Sequence, residues 1–426
     1  MAIALLFGVF ALLLLAGVPV AFALAASAAA TVAWLDLPPL VTVIELASGA
    51  NSSTLIAIPL FILTGEIMLR GGLSDRIIGF AGSLVGHLRG GLGQVNVVAS
   101  LLFGGVSGSA IADVSAIGGT MIPQMKQRGF DADFAVNVSI TAALVALLVP
   151  PSHNLILYSA AAGGSVSIAD LFAAGIIPAL MLMLSVMTTT WLIARRRGYA
   201  VEAFPGARAV LRRLVVALPG LLLIGLILGG IRAGIFTAVE SAAIAVLYAL
   251  TVALLVYRQL RWAAFVRILT GAVRTTGAIL FVIASAAAFG WMLAYLEVPT
   301  AAVAALRAVS DSPTIVLLLM VAALLLLGTF MDMAPLIIIC TPIFLPVAKA
   351  FQISPVHFGV ILILTAGIGL ITPPVGSVLF VGAGIGQIRV GEALRTIWPF
   401  YLAALTVLLL VAFIPALSLW LPAALR

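Results

Sequence analysis

Apolar stretches about twenty residues long follow one another along almost the whole chain, and two of them are interrupted by proline pairs, Pro150-Pro151 and Pro373-Pro374. A helix of that length spans the roughly 30 Å hydrocarbon core of a bilayer. Within that core every backbone amide and carbonyl must be bonded inside the protein. An interrupted helix therefore survives only if it is buried in protein or lines a wet cavity. The chain is thus confined to an all-α polytopic membrane protein of about ten crossings. Composition leaves no room for a water-soluble domain: 64% of the 426 residues are hydrophobic and 8% charged, where soluble chains carry roughly a quarter charged residues.

The 21 Lys and Arg outnumber the 14 Asp and Glu. In a membrane chain such an excess marks the cytoplasmic ends of spans. No basic stripe with interleaved aromatics accompanies it, so nucleic-acid binding is not expected. Cys340 is the single cysteine, which excludes an internal disulfide and a Cys-based metal site. The segment Met1 to Trp34 has no charged start and an apolar run far longer than a signal's core; it predicts a retained helix.

The first span is predicted over 2–34, with 35–50 as a link, and the second over 52–69. An amphipathic arm at 74–88 precedes a Gly- and Ser-rich irregular segment, 92–128. The broken stretch 131–162 and a span at 168–194, ending in Arg195-Arg196-Arg197, complete the first half. The polar segment 198–213 predicts a linker. Spans are then expected at 214–230 and 235–256, a basic arm at 258–274, a span at 277–296 and a second arm at 300–309. The irregular segment 313–349, the second broken stretch and a span at 397–421 follow.

Placing the basic ends in the cytoplasm puts 17 of 21 Lys and Arg inside and leaves Arg232, Arg307, Lys349 and Arg426 outside. The alternation of spans allows this only if 92–128 and 313–349 are re-entrant hairpins entering from opposite faces. The N-terminus is then cytoplasmic and the C-terminus on the outer side. An internal repeat agrees: a shift of 223 places Gly105 on Gly328, Ser109 on Asp332, Pro123 on Pro346, Pro150-Pro151 on Pro373-Pro374 and Gly163 on Gly386. The expected organisation is a first inverted repeat, 1–197, with hairpin 92–128 and broken helix 131–165. A cytoplasmic linker, 198–213, joins it to a second repeat, 214–426, with hairpin 313–349 and broken helix 354–386. Inverted repeats with broken helices mark secondary transporters, whose sites lie at the breaks near the midplane.

The prolines remove amide donors and free carbonyls, which with hydroxyls and a carboxylate suit a small hard cation, while helix N-termini suit an anionic group. The first hairpin tip, Phe103 to Asp113, offers Ser107, Ser109 and Asp113; the second, Gly328 to Asp332, offers Asp332. A carboxylate at membrane depth is costly and usually functional. The breaks read Pro150-Pro-Ser-His-Asn154 and Thr372-Pro-Pro-Val-Gly-Ser377, and Asn154 falls on Ser377 under the same shift. Ser107, Ser152, His153, Asn154 and Ser377 are the substrate-facing candidates, although a lone histidine is as readily hydrogen-bonded filler. Glu66 and Glu240 suit structural carboxylates bonded to nearby amides, and Met331 and Met333 suit packing. Gly105-Val-Ser-Gly108 also fits the G-x-S-G of an intramembrane serine protease with His153 as base, but the pattern is short and the repeat puts Phe330 opposite Ser107. An ion channel is disfavoured by the absence of a selectivity element suited to repetition about an oligomer axis.

The runs Ile58 to Glu66, Gly86 to Leu92, Asn96 to Ser100, Ser107 to Asp113, Gly234 to Ser241, Phe330 to Asp332, Thr341 to Pro346, Pro355 to Gly359 and Thr372 to Gly376 resemble, in order, the large membrane subunit (DctM-like) of tripartite ATP-independent periplasmic (TRAP) transporters. The resemblance implies a sodium-coupled, elevator-type importer of the bacterial inner membrane. It implies partners too: a periplasmic substrate-binding protein and a small four-helix membrane subunit, expected here as a separate polypeptide. By analogy one sodium would sit at Ser107, Ser109 and Asp113 with backbone near Pro150. A second would sit at Gly328, Asp332 and the backbone near Thr372. Substrates in such a family are organic acids: C4-dicarboxylates, sialic acid, sugar acids and keto acids. The pair His153-Asn154 after Pro-Pro-Ser departs from the apolar residues of many members, which favours a hydroxylated acid such as a sugar acid.

Overall fold

A computed structural model describes residues 1–51 and 53–425; Ser52, expected to open the second span, and Arg426, expected outside, lie beyond the described residues. The described residues are helical with no strand. The first half comprises α1 (Ala2–Leu15), α2 (Val20–Trp34), α3 (Leu40–Ala50), α4 (Ala57–Arg70), α5 (Leu73–Val85), α6 (Gly91–Ser107), α7 (Ala110–Asp113), α8 (Gly119–Gln127), α9 (Ala132–Leu148), α10 (His153–Ala161) and α11 (Ile168–Arg197). A π-helical turn, Val114–Gly118, joins α7 to α8. The second half comprises α12 (Ala207–Arg232), α13 (Ala238–Thr251), α14 (Trp262–Tyr295), α15 (Val298–Val309), α16 (Pro313–Gly328), α17 (Met333–Ala350), α18 (Pro355–Leu370), α19 (Ser377–Gly386), α20 (Val390–Thr396), α21 (Trp398–Phe413) and α22 (Ala416–Ala424).

The shift of 223 survives folding. Adding it to the run from α7 to α8, 110–127, gives 333–350, the bounds of α17. Adding it to α9 gives 355–371 against Pro355–Leu370 for α18, and α10 gives 376–384 against Ser377–Gly386 for α19. Each hairpin leg has 16 to 18 residues, or about 24–27 Å at 1.5 Å per residue, short of the ~30 Å core. Met333–Ala350 is nevertheless apolar and long enough to count among the candidate spans. At the first break, where Pro150 and Pro151 interrupt the helix, α9 and α10 diverge by 52°.

Several elements differ from expectation. The run 2–34 is two helices, because Pro19 lacks the N–H that would continue α1. The link 35–50 contains α3. The basic arm at 258–274 and the span at 277–296 are one helix, α14, of 34 residues; Gly271 and Gly277 weaken a helix without removing a hydrogen bond, so they do not break it. Its length, about 51 Å, exceeds the bilayer core. The linker is shorter than 198–213, since α12 begins at Ala207. The last span bends by 62° between α21 and α22, where Pro415 intervenes.

Burial sorts these apolar helices. Nearly every residue of α9 and α18 is buried, so the first halves of both broken helices form the centre of the molecule and hold the breaks inside it. By contrast α12 and α13 bury about a third or less of their apolar windows (28% and 33%), and face outward. At one end a polar cluster ties α9 to the linker. Arg197 donates to both carboxylate oxygens of Asp133 (3.0 and 2.8 Å) and to Asp131 (2.8 Å), and Tyr199 donates to Asp131 (2.6 Å). Burial and that bond hold the Tyr199 hydroxyl above the ordinary phenol range, so it stays a donor. With Arg197 about a quarter exposed (27%), Arg197→Ala is expected to cost ~1 kcal/mol after solvent screening. Thermal unfolding in detergent checks it: Arg196→Ala, whose side chain is exposed, should leave the midpoint unmoved, and equal midpoints for both variants would remove the cluster from the account.

Candidate functional site

Each hairpin tip closes onto the break of its own repeat. In the first, α6 ends at Gly108 in the left-handed region (φ +59°), where a side chain would also run into the backbone of Pro151 and Ser152 at 3.0 Å. That close approach lets the Asn154 amide donate to the Gly108 carbonyl at 3.0 Å. Ser109 caps α7, its hydroxyl accepting from the Ala112 amide at 3.3 Å. Ser152 is buried and donates to the Leu147 carbonyl at 2.6 Å, so the N-terminus of α10 carries no side-chain cap. Its free amides and dipole favour an anion.

In the second repeat Asp332 caps α17, accepting from the Met333 amide at 2.9 Å and from Ser377 at 3.2 Å. Residue 377 is the counterpart of Asn154, so in both repeats the opening turn of the second half-helix bonds to the hairpin tip. The Val375 amide donates to the Thr329 carbonyl at 3.0 Å. Gly328 lies backbone to backbone against Gly369, and Thr372 donates to the Ile368 carbonyl at 2.8 Å.

The tips share a cavity of about 680 Å³. Of the expected site residues, Ser107, Ser109, His153, Asn154 and Asp332 line it. His153 of the first repeat and Asp332 of the second line the same cavity. Gly328, Thr372, Ser377 and Ser152 are not among its lining residues, although Ser377 bonds to Asp332, which is. Asp113 is not on the wall: it is buried and accepts from Ser100 at 2.7 Å. Of the two acidic residues expected to be structural, Glu240 accepts from the Thr237 amide at 2.8 Å in a capping box. Glu66 instead pairs with Arg70 at 3.3 Å on the cavity wall.

Sequence reasoning missed the cationic side of the cavity. Arg70 of α4 and Arg274 and Thr275 of α14 line it, although the two arginines read as topology markers in the sequence. No local signal separates an arginine at a span's end from one turned into a cavity; only the packing of α14 beside α4 and α17 does.

The family model described as "Tripartite ATP-independent periplasmic transporter, DctM component" matches residues 7–417. The chain is 36% identical over 402 residues to the 2,3-diketo-L-gulonate TRAP transporter large permease protein YiaN of Escherichia coli, covering 94% of each chain. It is 38% identical over 411 residues to the sialic acid TRAP transporter large permease protein SiaM of Vibrio cholerae, covering 96% of each. Among solved structures the YdaH transporter of Alcanivorax borkumensis shares the fold (TM-score 0.58, 16% identity, 87% of this chain and 86% of that one). Two hairpin tips and two broken helices meeting at one cavity, in a chain matched by the family model nearly from end to end, leave one conclusion: the chain belongs to the DctM component family of tripartite ATP-independent periplasmic transporters.

Proposed function

We propose that this protein imports a small organic acid across a bacterial inner membrane, driven by sodium, with the acid delivered by a periplasmic binding protein and a small membrane subunit completing the complex. The observation that carries the reading is the cavity itself. It is lined by His153 and Asn154 at the uncapped N-terminus of α10 and by Arg70 and Arg274. Amides, an amide side chain and guanidinium groups recognise carboxylate and hydroxyl together. YiaN and SiaM are named for sugar acids, and the polar His153-Asn154 pair favours the same class here.

The oxygens at the tips supply the cation sites. Asp332, Ser377 and the carbonyls freed near Thr372 form a set suited to a hard monovalent ion, and Ser107 and Ser109 with carbonyls near Pro150 form a second. Each inward positive charge gains ~2.3 kcal/mol per 100 mV of membrane potential, so two sodium ions with one monoanion make the step electrogenic. Alternating access follows the elevator scheme: the hairpins and broken helices move as one body against α4 and α14. Arg70 and Arg274, which line the cavity, lie in segments that the charge bias assigns to the cytoplasm, which supports reading this conformation as inward-facing. Reconstituted in liposomes, the complex is expected to accumulate a sugar acid only with its binding protein and external sodium. Uptake that persists unchanged when potassium replaces sodium would sink the coupling.

A further inference from the structure

Off the cavity lining, two hydrogen-bonded pairs of polar side chains, Ser100 with Asp113 and Asn96 with Ser139, are buried in the first hairpin and the helix α9 beside it. Ser100 donates to Asp113 Oδ2 at 2.7 Å, Asn96 donates to the Ser139 hydroxyl, and Ser139 donates to the Ala135 carbonyl at 2.8 Å. All four are at most 1% exposed. The hydroxyl protons are thus spent, while Asp113 Oδ1 and Asn96 Oδ1 are buried and accept no hydrogen bond. Asn96 and Ser100 lie one turn apart on the same face of α6. Asp113 opens directly into the π-helical turn Val114–Gly118, a distortion frequent at functional sites. What the cluster has left over is oxygen lone pairs and one negative charge.

The second repeat builds the same hairpin without any of this. A shift of 223 carries Asn96, Ser100, Asp113 and Ser139 to Leu319, Ala323, Leu336 and Leu362. An apolar interior therefore suffices to fold the hairpin, and the polar one serves a task particular to the first repeat. Leaving a buried acceptor unsatisfied costs free energy, the more so when it is charged.

We propose that Asn96, Ser100, Asp113 and Ser139 hold a monovalent cation inside the first hairpin, at a site distinct from the two tip sites and without a counterpart in the second repeat. One carboxylate balances one positive charge, whereas a divalent ion would leave net charge buried; an all-oxygen set suits an alkali cation. The inference rests on the sodium-coupled reading above and moves Asp113 from the tip ion to an ion of its own.

The test compares wild type with Asp113→Asn in liposomes, reading the sodium-to-acid ratio from the reversal potential and the Hill coefficient from sodium titration. The variant is expected to transport with one sodium fewer per acid and a correspondingly lower Hill coefficient. An unchanged ratio overturns the site, and an unchanged ratio with altered pH dependence assigns the carboxyl to a proton and overturns it equally. If the variant fails to assemble, density maps of wild type in sodium and in choline decide: density beside Asp113 and Asn96 in sodium alone supports the site, and none in either overturns it. Wild-type uptake indifferent to sodium would instead end the functional reading, and the maps would still judge the site.

Discussion

Asp332→Asn is expected to leave the protein folded and to weaken apparent sodium affinity by about 10- to 100-fold. The asparagine retains an acceptor for the Met333 amide and the Ser377 hydroxyl, the two bonds that Asp332 makes, so the cap of α17 survives. What is lost is the charge. Interactions with a charged group contribute about 1.5–3 kcal/mol, and each 1.4 kcal/mol is about tenfold in affinity. Asp332 and Glu66 are the carboxylates that line the cavity among the described residues, and Glu66 is already paired with Arg70. Sodium titration of uptake in liposomes measures the effect; a half-saturating concentration equal to wild type would remove Asp332 from the ion site.

Gly369→Val should abolish transport for a different reason. A Cβ at Gly369 would sit 2.6–2.7 Å from the backbone atoms of Gly328, and backbone cannot rotate away as a side-chain end can. The second hairpin tip would be pushed off the broken helix, at a cost of about 1–3 kcal/mol or more for overpacking, and Asp332 and Ser377 would part. Gly384→Ala in α19 is the control, because nothing lies within 4 Å of its Cβ. Yield, thermal midpoint and uptake should fall together for Gly369→Val and hold for Gly384→Ala. A Gly369 variant with normal uptake would show that the tip does not need this approach.

Much of the site was legible because its signals are local and repeated. The proline pairs, the hairpin glycines and Asp332 keep a fixed spacing of 223 from their partners, and a hydrogen-bonded break in a membrane helix has few alternatives. The placement of Asp113 was not legible. It lies four positions after Ser109, yet in α7 Ala110, Ile111 and Ala112 line the cavity while the Asp113 side chain accepts from Ser100. The repeat did carry a difference at this position, since its counterpart is Leu336, whereas the counterpart of Ser109 is Asp332.

The amino-acid order alone determined the membrane class, the two breaks, the repeat and the family, since hydropathy, missing proline donors and motif spacing are properties of short stretches. Tertiary structure decided which apolar helices became the interior and which met lipid. The residues of α9 and α12 look alike by hydropathy, yet one is enclosed and the other mostly outward-facing, because a lipid tail and a leucine side chain are equally good apolar surroundings and nothing in a single helix tells them apart. The same limit applied to charge: Arg274 joined Asp332 and His153 at one cavity only when α14 packed against the hairpins.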